Sequence, residues 1–322
     1  MQWLMPDSGE RNTEQRVQPM FRKFNLFSYL ALSICILAIH CWLQSIPNRS
    51  DLPDAFAPVR YAPVELDPAG FAPLRLVGAW KAEVADARFG GVSALAIDRR
   101  RLLALTDSGV LVSLPRPGGD RLARLSDLPD GPGPPSFKRF RDSEALVIEP
   151  DGEMLVAFEN RHSVWRYRPA TGEARRALDL SRHGWKANKG VEAMVRDRVN
   201  GALLLMAEGG GSALRIGDDE EEVPLTGPPG QIAGAVRLPD GRILLTVRQV
   251  GFLGLTNLIA EMTLQPDGYR IQPLAILPLG ATANVEAIAA EPRTDGGTRL
   301  WLMTDNDFRP GKPTLLVALD LP

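Results

Sequence analysis

An all-β chain with propeller-like organisation is the fold class that three features of this 322-residue sequence predict. One acidic strand opening recurs as DSEALVIEP (Asp142 to Pro150), GVEAMVRDR (Gly190 to Arg198), NVEAIAAEP (Asn284 to Pro292) and, more loosely, GVSALAIDR (Gly91 to Arg99). Anchored on Ala94, Ala145, Ala193, Ala235 and Ala287, the units are spaced by 51, 48, 42 and 52 residues, a period of blades or solenoid repeats. Between the anchors run short apolar stretches bounded by Gly, Pro, Asp and Asn, with no 3.6-residue periodicity sustained over a helix's length.

In chain order, residues 1–25 read as a cytoplasmic n-region ending in basic residues such as Arg22 and Lys23. Residues 26–46, opening on LFSYLALSICILAI, are apolar for about the length of one bilayer crossing. They predict a hydrophobic helix acting as a signal-anchor or a signal peptide. The basic flank keeps the N-terminus inside and sends the rest across, whether the chain stays anchored in the inner membrane or is secreted after cleavage. The expected location is therefore periplasmic or otherwise extracytoplasmic. Initiation at Met20 instead of Met1 would give a shorter basic n-region, MFRKFN. Both cysteines, Cys35 and Cys41, lie in this segment, so no disulfide or thiolate metal site is expected beyond it. Residues 47–71 are proline-rich and read as an extended spacer.

Residues 72–322 form the repeat domain. The second unit shows four strands, SEALVIEP, EMLVAFEN, SVWRYRP and EARRALDL, which is the arithmetic of a propeller blade. The fifth unit ends one strand short, and APLRLVGAWKA (Ala72 to Ala82) has no unit of its own. That N-terminal strand can close the ring and remove its free edges. Five blades are counted this way; six would need a blade without these marks. Trp80, Trp165 and Trp301 fall in strand patterns and are expected to pack between blades.

In each unit the start of the first strand and the end of the second share one rim. First-strand positions are Ser93, Glu144, Glu192, Gly234 and Glu286; second-strand ends are Asp107, Glu159, Glu208, Arg248 and Asp305. Seven of these ten are carboxylates, and crowded like charges need compensation. A hard cation such as Ca²⁺ suits an all-oxygen set of Asp107, Glu144, Glu159, Glu192, Glu208, Glu286 and Asp305, with Asn160, Asn188, Asn284 and Asn306 as neutral donors nearby. Pairing of each glutamate with a neighbouring arginine would instead make the ring structural. Only His162 and His183 remain in the domain for transition-metal chemistry.

The units resemble the phytase-like family described as having esterase-like activity, a relative of the β-propeller phytases. The resemblance is carried by GVSALAID…LLALTDSG, DSEALVIEPDGEMLVAFENRHSVWRY, NKGVEAM, LPDGRILLTVRQVGFLG and NVEAIA…LWLMTDNDFRPGKPTLLVALDL, spanning most of residues 89 to 321. It implies an acidic propeller mouth, an exported protein and hydrolysis of phosphoesters or carboxyl esters. The family's usual glutamate before the fourth-blade arginine is Val247 here.

Two function classes follow. In a metal-assisted hydrolase, Glu192 or Glu286 would act as general base, while Arg248, Lys189, Arg309 and His162 would steady an anionic or ester small molecule; cyclic esters are the variant of a lactonase-like Ca²⁺ enzyme. In a non-catalytic scaffold, the rim would bind an envelope protein partner. Ser108 and Ser143 are nucleophiles by composition only, without a G-x-S-x-G elbow or a triad. A net charge of -2 gives no footing for nucleic acid. The loop Asp130 to Asp142 is basic and could overhang the mouth.

Overall fold

The computed structural model describes residues 53–135, 137–197, 201–227, 230–252 and 254–321. The apolar segment 26–46 and the n-region lie outside them. Among the described residues no helix is long and apolar enough to cross a membrane.

Two strands, β1 (Ala55–Pro63) and β2 (Arg75–Val84), precede five antiparallel groups. The first group is β3 (Val92–Asp98), β4 (Arg101–Thr106), β5 (Val110–Leu114) and β6 (Leu122–Asp127). The second is β7 (Ser143–Ile148), β8 (Met154–Phe158), β9 (Ser163–Arg168) and β10 (Glu173–Asp179). The third is β11 (Val191–Arg196), β12 (Leu203–Ala207), β13 (Ser212–Ile216) and β14 (Glu220–Thr226). The fourth has longer strands, β15 (Gln231–Arg237), β16 (Ile243–Gly251), β17 (Gly254–Gln265) and β18 (Gly268–Leu277). The fifth, β19 (Asn284–Pro292), β20 (Thr298–Asp305) and β21 (Thr314–Leu321), receives β2 as its fourth strand. The first strands β3, β7, β11, β15 and β19 adjoin one another in a closed, propeller-like ring.

Strand alternation builds the packing between groups. Along β4, Leu102 and Ala104 face the layer shared with the fifth group, while Leu103 and Leu105 face the layer shared with the second. Five such apolar layers separate the five groups. Each fully buried leucine contributes on the order of 2 kcal/mol by leaving water. Trp80 and Trp301 stack within the layer between the first and fifth groups, with ring centroids 6.4 Å apart, and Trp165 is partly buried between the first and second.

The N-terminal closing strand is present: β2 lies antiparallel to β21, with Trp80 opposite Leu316. The spacer expected over residues 47–71 is corrected within its described part. There β1 pairs with β2 on one side and β6 on the other, joining the fifth group to the first. Ala57 and Val59 are buried while Phe56, Pro58 and Arg60 point out, a two-residue alternation that the prolines obscure in the sequence. Pro58 faces Leu122 at one end of its ladder and Pro63 ends the strand, so neither missing N–H leaves a gap in a central ladder. A second seam, parallel, joins β14 to β18.

Every first strand carries a β-bulge near its start. Two residues there face one on the second strand, and the extra residues are Ser93, Glu144, Glu192, Ala233 and Glu286. A bulge re-aims a side chain, which explains how a buried strand presents a carboxyl to the ring's axis. The fourth unit is therefore framed one residue off in the sequence reading: Ala233 occupies the acidic position, and Gly234 aligns with the alanine that follows it. Gly234 is required there, because a Cβ would lie 2.2 Å from the Glu286 carbonyl oxygen. Gly234→Ala is expected to cost about 2 kcal/mol or more through that backbone clash, lowering the melting temperature by several degrees in calorimetry.

Candidate functional site

The strand directions bring the predicted acids to one end. Beside the five bulges stand the ends of the second strands, where Asp107, Glu159, Glu208, Arg248 and Asp305 occupy equivalent places opposite Gly91, Asp142, Gly190, Gln231 and Asn284. Immediately below, the axis narrows to a channel of about 10 Å³, room for roughly one water, lined among others by Ser93, Glu144, Glu192, Gly234 and Glu286. Glu144, Glu192 and Glu286 thus converge rather than splay.

Their surroundings differ. Arg248 Nη1 donates to Glu286 Oε1 at 2.6 Å and to Asn284 Oδ1 at 3.2 Å, and Arg248 Nη2 stands 3.8 Å from Glu192 Oε2. Asn284 Nδ2 adds a bond to Glu286 Oε1 at 2.8 Å. Among the described residues Glu144 has no such partner: burial, then Asp142, Glu192, Glu286 and Asp107, all push its pKa well above the ordinary value. Burial likewise raises Glu192, with Glu159 and Glu286 adding to it and Arg248 opposing. Glu286 is pushed to about 7 by burial, against the pull of Arg248 and Asn284. Glu159 lies close to Glu192, a contact that offsets part of the rise in its own value. Glu159 itself is pushed up to about 7, first by burial and then by Asp142 and Glu208.

At the flanks, Lys189 Nζ contacts Glu208 at 2.8 Å. Burial raises Asp107 to about 6, and Asp305 to about 8 with help from Glu286. The Asp305 Oδ1 atom accepts the Asp307 N–H at 2.7 Å. Asn306 Oδ1 receives the N–H groups of Gly91 and Phe308, so its oxygen is committed to the loop rather than to a ligand. Gly91 has φ 55°, and a Cβ there would lie 2.4 Å from Asp107 Oδ1, so the backbone comes this close only as glycine.

Two members of the site were missed in the sequence. Asp142 accepts bonds from Asn160 Nδ2 and, at 2.6 Å, from Lys138 Nζ, which also reaches Asp107 at 3.0 Å. Lys138 begins a short helical turn, Lys138–Arg141, in the basic loop, which does overhang the mouth. His162 and Arg309 have other contacts in this structure. His162 Nε2 lies 3.0 Å from the Trp185 carbonyl oxygen, its ring is edge-on to Trp185, and its backbone has a left-handed φ of 41°. Arg309 is exposed, with Asp307 at 3.6 Å as its ion-pair partner. Ser143 donates to the Thr106 carbonyl at 2.7 Å and accompanies no base, and Ser108 bonds Thr106; both are interior ties.

One oxygen each from Asp142, Glu144 and Glu159, and one each from Glu159, Glu192 and Glu208, lie within 4.8 Å of one another. Among the described residues around the mouth, the carboxyls of Asp107, Asp142, Glu144, Glu159, Glu192, Glu208, Glu286 and Asp305 face the cations Lys138, Lys189 and Arg248, with Asp307 and Lys312 paired beside them. An all-oxygen, undercompensated donor set fits a hard divalent cation such as Ca²⁺.

The raised carboxyls have a stability consequence whose sign is fixed. Folded chains hold protons that unfolded chains release, so without metal the stability they provide is full below about pH 4. It is lost as pH climbs through the folded values of about 6 to about 8. Denaturant midpoints measured in chelator should fall across that window.

Among solved structures, this chain is similar to a gluconolactonase from Xanthomonas campestris at 11% identity, covering 84% of this chain and 99% of that one with a TM-score of 0.43. It is similar to glutaminyl cyclase of Myxococcus xanthus at 14% identity, covering 82% and 99%, TM-score 0.46. A third likeness is virginiamycin B lyase of Staphylococcus aureus, 12% identity, 76% and 70%, TM-score 0.40. None of these likenesses bears on the chemistry of this chain. No curated protein matches it in sequence. The family model described as phytase-like, esterase-like activity of phytase, matches residues 87–308, which include the ring of bulges and both ends of the acidic mouth; the chain belongs to that family.

Proposed function

We propose that the chain is an exported five-bladed propeller that hydrolyses phosphoesters or carboxyl esters at its acidic mouth with the help of a divalent cation. The observation that carries this reading is the convergence of Glu144, Glu192 and Glu286 on one narrow opening with a single guanidinium, Arg248, set between two of them. A structural ring would pair each acid with its own cation; among the described residues Glu144 makes no ion pair, and only the more distant charge of Lys138 acts on it.

Asp142, Glu144, Glu159, Glu192 and Glu208 are the residues that would hold Ca²⁺, which when bound supplies positive charge to a phosphoryl or carbonyl oxygen. Arg248, at the channel edge, can exchange part of its contact with Glu286 for an anionic substrate oxygen. Glu286, raised to about 7, is suited to take a proton from water near neutrality. The water oxygen then bonds to phosphorus or the acyl carbon, the ester bond to the alcohol breaks, and the alcohol leaves with the proton that Glu286 returns. Lys138 and Lys189 hold the flanking acids in place.

Residues 26–46 would carry the domain across the inner membrane and tether it there. The direct test is turnover of p-nitrophenyl phosphate, p-nitrophenyl acetate and a lactone, each with chelator and with added Ca²⁺. Ca²⁺-dependent release from an ester supports the reading; a panel without turnover under either condition removes it and leaves the rim as a binding surface.

A further inference from the structure

The fourth group departs from the others at the mouth. Its hairpin β16–β17 continues three residue pairs past Arg248, through Gln249 opposite Thr256, Val250 opposite Leu255 and Gly251 opposite Gly254. At about 3.4 Å per residue this carries the tip roughly 10 Å beyond the guanidinium. The fourth strand β18 stops level with Arg248, since its last residue Leu277 lies opposite Asn257, the partner of Arg248. The extension is apolar and bare: Val250 is 73% exposed and Phe252 103%. Ile276, on the adjoining end of β18, is 57% exposed. Large apolar side chains standing this far into solvent beside a polar opening mark a surface that meets something apolar.

The chain's own path points to the occupant. Strand β1 enters the fold at the mouth end: Ala55 lies opposite Leu125 near the end of β6, and the Pro53 carbonyl accepts from Arg88 Nη1, whose neighbour Asp127 marks that end. Six residues separate the apolar segment ending at residue 46 from Pro53 in the sequence. Exposed bases also stand at this end, Arg139, Arg161 and Lys186, while Lys189 and Arg309 are paired with Glu208 and Asp307. An apolar wedge with basic residues around it is the chemistry that meets an anionic bilayer.

We infer that the mouth end docks on a lipid bilayer, with Val250 and Phe252 inserted among the acyl chains and the basic rim against anionic headgroups. This rests on the tethered reading of residues 26–46. It deepens the proposed function by assigning the site esters presented at the bilayer surface.

The test reads docking without turnover. In the full chain with Cys35 and Cys41 replaced by serine, Phe252→Cys is labelled with an environment-sensitive fluorophore. The protein is then reconstituted in vesicles of zwitterionic phospholipid with about one third anionic lipid, with or without spin-labelled acyl chains. Leu264→Cys, half exposed near the opposite end of β17, is the companion site. Docking predicts a blue-shifted emission and at least a twofold quenching at position 252, with a water-like, unquenched label at 264. Equal behaviour at the two positions, quenched or not, overturns the inference, whereas loss of ester turnover alone leaves it standing.

Discussion

Glu286→Gln is expected to lower kcat by at least about a hundredfold while the protein stays folded. The magnitude is that of losing a positioned general base. Folding survives because the glutamine oxygen can still accept from Arg248 Nη1 and Asn284 Nδ2, the two donors that hold Glu286 now. The guanidinium also keeps an acidic neighbour in the variant, Glu192 at 3.8 Å. Glu192→Gln should lose activity in a different way. Glu192 sits with Glu159 and Glu208 in a candidate cation group, so part of its loss should return at raised Ca²⁺, whereas that of Glu286→Gln should not. Steady-state kinetics against free Ca²⁺ separate them, and retained turnover in both variants would take the mouth out of catalysis.

Arg248→Gln should be the most destabilising single change at the mouth, and its effect should depend on pH. The guanidinium and the Glu286 carboxyl are both about 15% exposed or less, and removing one member of a buried pair costs about 3 kcal/mol or more. That cost applies only while Glu286 is ionised. Because its folded value is about 7, the loss should be near its full size at pH 8.5 and much reduced at pH 5.5, where the carboxyl is already protonated. Denaturant unfolding at the two pH values gives the answer. A loss that is equal at both would mean that Arg248 serves packing rather than charge.

Much of this arrangement is legible in the residues. The acidic repeat and the ends of the second strands identify the mouth, and the missing fourth strand of the last unit identifies Ala72 to Ala82 as its complement, where β2 spans Arg75–Val84. What is hidden has physical causes. A bulge sets two residues against one, so counting along QIAGAV slips by a residue and places Gly234 where Ala233 stands. Asp142 reads as a turn residue before a strand, and its role depends on Lys138 and Asn160, which approach it in space. His162 follows Glu159 closely in sequence, yet its backbone is left-handed and its ring lies edge-on to Trp185. Prolines hide β1, whose buried Ala57 and Val59 carry the alternation.

The account stands on crowded carboxyls being relieved by a cation, and calorimetric titration of metal-free protein with Ca²⁺ tests that most directly. It predicts stoichiometric binding to the parent chain, strongly weakened in Glu159→Gln, since Glu159 belongs to both groups of close oxygens. It also predicts a rise in melting temperature that grows with the logarithm of free Ca²⁺. No heat of binding, together with a melting temperature indifferent to Ca²⁺ and chelator, would contradict it.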